Sequence, residues 1–277
     1  MAKPATEPDF FLYSDGGSSS GGLAAGACVL RESRSGNHSC YAIALGVATN
    51  NEAEIFAALL GFAAIHAASA GKTDGVSVRW VADSEYLLKS STGYIFNWQR
   101  NGWKTADKKP VKNQGLWQTY LTLSAGLKIE PEHVRGHTGH VENESCDEAV
   151  RWLKAETENI FIRKSFCQAE ISTPVGDDIW LCLDGRELME NLRSERPDEE
   201  YQLGILELLK EASGDAQSTV RRSEKPKKDP LKPVLEALET AWKHAEKAAK
   251  ENEAAQDLSG KIRKLMDGVL ALQGKGE

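Results

Sequence analysis

The sequence predicts an α/β fold, a mixed β-sheet flanked by α-helices. Three observations predict it. Residues 10–46 contain three short apolar runs separated by Gly/Ser-rich or polar turns, the pattern of an antiparallel meander. The apolar period then changes: over EAEIFAALLGFAAIHAASA (52–70) apolar residues recur at three- and four-residue spacing, as in a largely buried helix. Beyond that helix, strand-like and helix-like stretches alternate, which places helices against a sheet.

FFLY (10–13) reads as the first strand, ending at Ser14-Asp15-Gly16-Gly17. GGSSSGG (16–22) is too short for a linker and reads as a turn before a second strand, ACVLRE (27–32). CYAIALG (40–46) is the third strand. Asn50 and Asn51 stand where a helix N-cap would. VSVRWVAD (76–83) is a β-branched strand ending in an acid, and SEYLLKSS (84–91) a short helix. Residues 95–117 are polar, basic and bear tryptophans. LWQTYLTLSAGL (116–127) reads as a helix, EPEHVRG (130–136) as a strand and CDEAVRWLKAETENIF (146–161) as a helix.

This gives a folded domain over residues 1–165. A small accessory segment follows over 166–213, with DDIWLCLDG (177–185) as a strand and helix after it. Residues 214–230, GDAQSTVRRSEKPKKDP, combine Gly, Pro and charge and read as a charged linker. Residues 231–277 are mostly Ala/Glu/Lys/Leu-rich and read as a helical extension, which could bind a protein partner, self-associate or simply be an appendage.

At 40% hydrophobic and 27% charged residues the chain is of ordinary globular composition, and its net charge of -7 argues against a general polyanion binder. Residues 1–165 are near neutral, with 17 Lys+Arg against 18 Asp+Glu, so a local basic patch remains open there. Five cysteines without a CxxC pair suit reduced thiols better than a disulfide framework. The start, MAKPATEPDF, lacks an apolar signal core, and no apolar run is long enough to span a bilayer, so a cytoplasmic location without membrane contact is expected.

Acids stand at the ends of the apolar elements. Asp15 and Asp83 follow strands, and Glu54 and Asp147 lie near helix starts. Elements of a sheet can bring such acids to one edge, where close carboxylates repel unless cations neutralise them. Hard oxygen ligands select Mg²⁺ or Mn²⁺ over zinc. A second grouping, HVRGHTGHVENESCDEA (133–149), holds His133, His137, His140, Cys146 and Asp147. Composition alone leaves it open as a zinc cluster, as one arm of a carboxylate site, or as a polar loop before a helix.

The stretches YSDGG (13–17), TNNEAE (49–54), ADSEY (82–86), GWKTADKKPVKN (102–113), LWQ (116–118) and GHTGHVENESCDEA (136–149) together resemble ribonuclease H type 1 (RNase HI-like) over about residues 8–157. The resemblance implies a five-stranded mixed sheet with helices. It implies cleavage of the RNA strand of RNA–DNA hybrids by two-metal-ion hydrolysis, leaving 5′-phosphate and 3′-hydroxyl ends. Asp15, Glu54, Asp83 and Asp147 would hold two Mg²⁺, with Mn²⁺ as a substitute. His137 would assist proton transfer or product departure from a mobile loop flanked by Gly136 and Gly139. Gly16, Gly17, Asn50 and Asn51 would read the hybrid's minor groove. Lys104, Lys108, Lys109 and Lys112 would form a basic protrusion on the DNA strand, with Trp98 and Trp103 packed within it. Trp117 would line a channel for the DNA backbone, and Trp103 and Trp117 join the substrate-binding set.

The chain departs from the family's pattern at three places. Glu52 stands where Arg is usual, Glu85 where Gln is common, and the turn after Asp15 lacks an Asn-Pro element. An anion at residue 52 would weaken a phosphate contact there. Glu52, Glu85 and the large extension keep open one rival, a hybrid-binding adaptor; a second rival is a DNA-directed nuclease of the wider superfamily, against which the basic segment argues.

Overall fold

In the computed structural model the described residues are 7–20, 22–135, 139–160, 165–193 and 199–216, with Lys261 and Lys264. His137, most of the charged linker and, apart from those two lysines, the helical extension lie outside them.

The chain opens with the expected meander: β1 (Phe10–Ser18), β2 (Leu23–Glu32) and β3 (His38–Val47), paired antiparallel. β1 does not stop before Asp15. It continues to Ser18, because β2 supplies partners for every residue, Asp15 with Ala27 and Gly16 with Gly26 among them. The glycine at 16 is forced by packing, since a Cβ there would sit 2.2 Å from the Ala53 carbonyl carbon of the next helix.

That helix, α1 (Asn50–Ala68), is capped by Thr49 rather than by Asn50 or Asn51. The Thr49 hydroxyl accepts from the Glu52 amide (3.3 Å), and the Thr49 amide donates to the Glu52 carboxylate (2.7 Å). Residues Ala53–Ile65 of α1 are buried all round, which fits its position between the sheet and later helices.

β4 (Ser77–Ala82) leads into α2 (Glu85–Lys89), a π-helical turn (Ser90–Tyr94) and α3 (Ile95–Arg100). Then follow α4 (Gln114–Ser124), β5 (Lys128–His133) and α5 (Val141–Ile160). α5 begins at Val141, upstream of the expected start at Cys146; Asn143 and Ser145 are buried with Cys146, so polar residues hide the first part of its inner face.

The sheet has seven strands rather than five. The added strands are a hairpin, β6 (Phe166–Thr173) and β7 (Gly176–Asp184), and the order is β5-β4-β1-β2-β3-β7-β6. β7 pairs parallel with β3 over Cys40–Ala44. The sequence pattern anticipates β7 but not β6, an edge strand whose buried side chains include only Ala169 and Ile171. α6 (Arg186–Leu192) and α7 (Glu199–Ala216) complete the described part, α7 extending three residues, Gly214 to Ala216, into the stretch read as linker.

Two apolar layers hold the sheet. On one face α1 and α4 pack with Trp80, Phe62 and Tyr120, and Met189, Leu192, Ile205 and Leu209 of α6 and α7 join the same core. On the other face α5 contributes Cys146, Ala149, Val150 and Leu153 against Ala27, Val29, Ala42 and Trp180. Among the described residues no helix is long and apolar enough to cross a membrane.

Candidate active site

β1 and β4 run parallel with Tyr13 beside Val81. Two residues further on, that register sets Asp15 next to Asp83 at the C-terminal end of β4. The close approach at Gly16 brings the second turn of α1 over the same edge, and with it Glu54. One carboxylate oxygen from each of Asp15, Glu54 and Asp83 lies within 4.8 Å of the others. Three acids distant in sequence thus converge as expected.

The electrostatics are those of a crowded anionic site. Burial, then the charges of Asp83 and Asp147, push the Asp15 carboxyl up to about 7, against the Gly16 amide and the Lys154 ammonium. Burial and the charges of Asp15 and Asp83 raise Glu54 well above the carboxylate range. Glu54 Oε2 is buried with no hydrogen-bond partner. An all-oxygen donor set with an orphaned buried carboxylate oxygen fits a hard divalent cation.

Asp147 lines the same cavity, of about 240 Å³, with Gly16, Gly17, Asn50 and Glu144. Its carboxylate is engaged by Arg151, one turn along α5, which also holds Glu148 (2.8 Å). Asp147 therefore has a neutralising cation on its own helix.

Of the residues expected to read substrate, Gly16, Gly17 and Asn50 line this cavity. Asn50 Oδ1 accepts from the Ser18 amide (3.2 Å), which leaves its amide nitrogen as a donor. Asn51 is exposed in the first turn of α1. Lys104, Lys108, Lys109 and Lys112 are all exposed on the loop between α3 and α4. Trp103 is half-buried against the main core at a left-handed backbone position (φ 59°).

Trp117 departs from expectation. It is fully buried, with ring centroids 6.0 Å from Tyr86, 5.9 Å from Trp98 and 5.9 Å from Tyr120, so it supports the protrusion from beneath and lines no channel. α4 turns its apolar stripe inward, and residue 117 falls on that stripe beside Leu116 and Tyr120.

The zinc reading of residues 133–149 is not supported by the described residues. The Cys146 thiol is buried and donates to the Tyr13 carbonyl (3.7 Å), and among the described residues it joins no group of converging metal-ligating side chains. His133 is exposed and donates from Nε2 to the Asp83 carbonyl (3.1 Å), bracing the third acid. Glu144 accepts from the Gly139 amide (2.9 Å) and lines the cavity, tying loop to site. Lys154, two turns beyond Asp147, is a cavity residue that the motifs did not signal. Its ammonium would lie 3.4 Å from a Cβ on Gly17.

Glu52 is not a bare anion. Arg193, just past α6, donates from Nε to Glu52 (3.1 Å) and from Nη2 to the Val47 carbonyl (2.6 Å). A residue of the C-terminal segment thus clamps the start of the helix that carries Asn50 and Glu54. The pair is partly solvated, so Arg193→Ala is expected to cost only about 1 kcal/mol, a fall of roughly 2–4 °C in melting temperature. An unchanged melting curve would show that the clamp is idle.

Comparison with known proteins agrees with this geometry. The RNase H family profile matches residues 7–153. Proteins named Ribonuclease H from Vibrio campbellii and Pectobacterium carotovorum are 42% and 44% identical over 103 residues, 37% of this chain. The matched stretch spans 62% of the length of those two relatives. A Ribonuclease H from Roseobacter denitrificans is 38% identical over 148 residues, covering 52% of this chain and 94% of that protein. The family profile covers more than half of the chain and includes all four acids of the site, so the chain belongs to the RNase H family.

Proposed function

We propose that this chain is a metal-dependent endoribonuclease that cuts the RNA strand of RNA–DNA hybrids, leaving 5′-phosphate and 3′-hydroxyl ends. The convergence of Asp15, Glu54 and Asp83 within 4.8 Å, beside Asp147, carries the reading. Two Mg²⁺ ions, replaceable by Mn²⁺, would be held by these four carboxylates and would supply neutralisation of the phosphodiester and acidification of the attacking water. In the hydrolysis a water oxygen bonds to phosphorus, the P–O3′ bond breaks, and the 3′ oxygen takes up a proton.

The chain's own groups orient the substrate. The Asn50 amide and the Gly17 main chain face the cavity where ribose 2′-hydroxyls of a wide minor groove would lie. Lys154 offers a cation to a phosphate on the α5 side. Arg151 neutralises Asp147, and His133 and Glu144 brace the edges. His137, outside the described residues, is proposed as the group that takes or gives a proton, as an imidazole can near neutral pH. The five free cysteines suit the reducing cytoplasm proposed as its location.

Labelled RNA–DNA hybrid, double-stranded RNA and double-stranded DNA, each with Mg²⁺ or EDTA, test the proposal. Only the hybrid's RNA strand should be cut, and only with metal; cleavage of the DNA duplex would favour the nuclease rival. Hybrid binding without cleavage under Mg²⁺ or Mn²⁺ would favour the adaptor. For the protrusion, Lys108→Ala with Lys109→Ala should weaken hybrid binding uniformly across sequences. The slope of log affinity against log salt should shrink by about 0.9 for each phosphate that the variant no longer neutralises. A slope equal to wild type would remove these lysines from the interface.

A further inference from the structure

We infer that His38, Cys40 and Asp178 form a transition-metal site, with Zn²⁺ as the fitting ion, that staples the C-terminal hairpin to the catalytic sheet. It lies apart from the carboxylate site. Its ligand types are nitrogen, sulfur and oxygen rather than oxygen alone.

The site follows from strand geometry. His38 and Cys40 are alternate residues of β3 and so project from one face. β7 runs parallel, with Cys40 beside Trp180, and the same register sets His38 against Asp178. The pairing ladder ends at Cys40 and Trp180. Beyond it a cavity of about 510 Å³ opens between the strand starts, lined by His38, Cys40, Asp177 and Asp178. One ligating atom from each of His38, Cys40 and Asp178 lies within 4.8 Å of the other two. Donors around a tetrahedral zinc, with bonds of about 2.0–2.3 Å, stand about 3.5 Å apart. Side-chain rotations moving these atoms by about an ångström would close the site.

One atom in the group lacks what its burial demands. Asp178 Oδ2 is buried without a hydrogen-bond partner, while Oδ1 meets His38 Nε2 at 3.0 Å. Cys40 is buried and lines the same cavity, its sulfur within 4.8 Å of a His38 nitrogen and an Asp178 oxygen. Arg31, opposite His38 in the β2–β3 pairing, is turned onto the Phe11 ring, 4.1 Å from its centroid. A neutral imidazole, one thiolate and one carboxylate would balance the charge of Zn²⁺. On binding, the S–Zn bond forms and the thiol proton leaves to water. The fourth position would be taken by water from the cavity.

The full chain, stripped with a chelator and titrated with Zn²⁺ or Co²⁺, tests this. Wild type should bind Co²⁺ with a thiolate-to-metal charge-transfer absorption, which a carboxylate site cannot produce. The band should persist in Asp83→Asn and vanish in Cys40→Ala. His38→Ala, at an exposed position, should weaken Zn²⁺ binding at least tenfold. At a hundredfold excess over its dissociation constant, Zn²⁺ should raise the wild-type melting temperature by roughly 5–10 °C and that of His38→Ala by much less. No charge-transfer band in wild type, or unchanged zinc affinity in His38→Ala, would overturn the assignment and leave a plain His–Asp pair beside a core cysteine.

Discussion

Asp15→Asn is expected to abolish hybrid cleavage while making the metal-free protein more stable. On the proposed mechanism, loss of one metal-binding carboxylate would remove several kcal/mol of charge stabilisation from the transition state, on the order of a thousandfold or more in rate. The stability change has the opposite sign because the acids repel one another. The Asp15 carboxyl is held up at about 7, against an ordinary value of 3.8, by burial and by Asp83 and Asp147. Between those values the native state binds a proton that the unfolded chain has released. Stability therefore falls as pH rises through this window, and the full penalty applies above it. Asn has no such titration. Melting temperatures in EDTA should show the variant gaining on wild type from about pH 4 to about pH 7 and holding its lead above. A gap constant with pH would sink the electrostatic account of the site, and persistent cleavage by protein free of contaminating nuclease would sink the mechanism.

Truncation after residue 165 should leave a fragment that does not fold to the native state. The removed segment is not merely attached to the catalytic sheet. It supplies Trp180, Leu183, Met189, Leu192, Ile205 and Leu209, each at most 2% exposed, to the two cores. Burying each large apolar side chain contributes about 1.5–3 kcal/mol, so their sum rivals the roughly 5–15 kcal/mol by which a domain is stable. Truncation would also strip β7 from β3 and expose a new edge, with unpaired main-chain groups over Cys40–Ala44. Circular dichroism and size-exclusion chromatography of the fragment would decide. A monomeric, cooperatively melting fragment would show that the hairpin and helices are dispensable.

The carboxylate site was largely legible because YSDGG, TNNEAE, ADSEY and GHTGHVENESCDEA together resemble the RNase H family. Taken singly, each acid has an ordinary role, in a turn or on a helix dipole, and spacing alone does not single it out. Trp117 was misread for a different reason. A tryptophan beside a lysine-rich stretch looks like a surface platform, and only helix phase shows that it points inward. Glu52 was legible as an anion but not as a partner of Arg193, because the two are 141 residues apart.

The sequence by itself determined the meander and the central helix, since these depend on period and turn chemistry, whereas the four acids and the basic segment were marked by the resemblance of short motifs to the RNase H family. Tertiary structure decided what lies between distant segments. It set the seventh and sixth strands on the edge of β3, brought Arg193 to the start of α1 and Lys154 into the cavity, and gathered His38, Cys40 and Asp178 at a fork between strands. The physical reason is range. Local patterns report how a segment folds on itself, whereas strand order and helix packing follow from burying apolar faces that no single segment can cover alone.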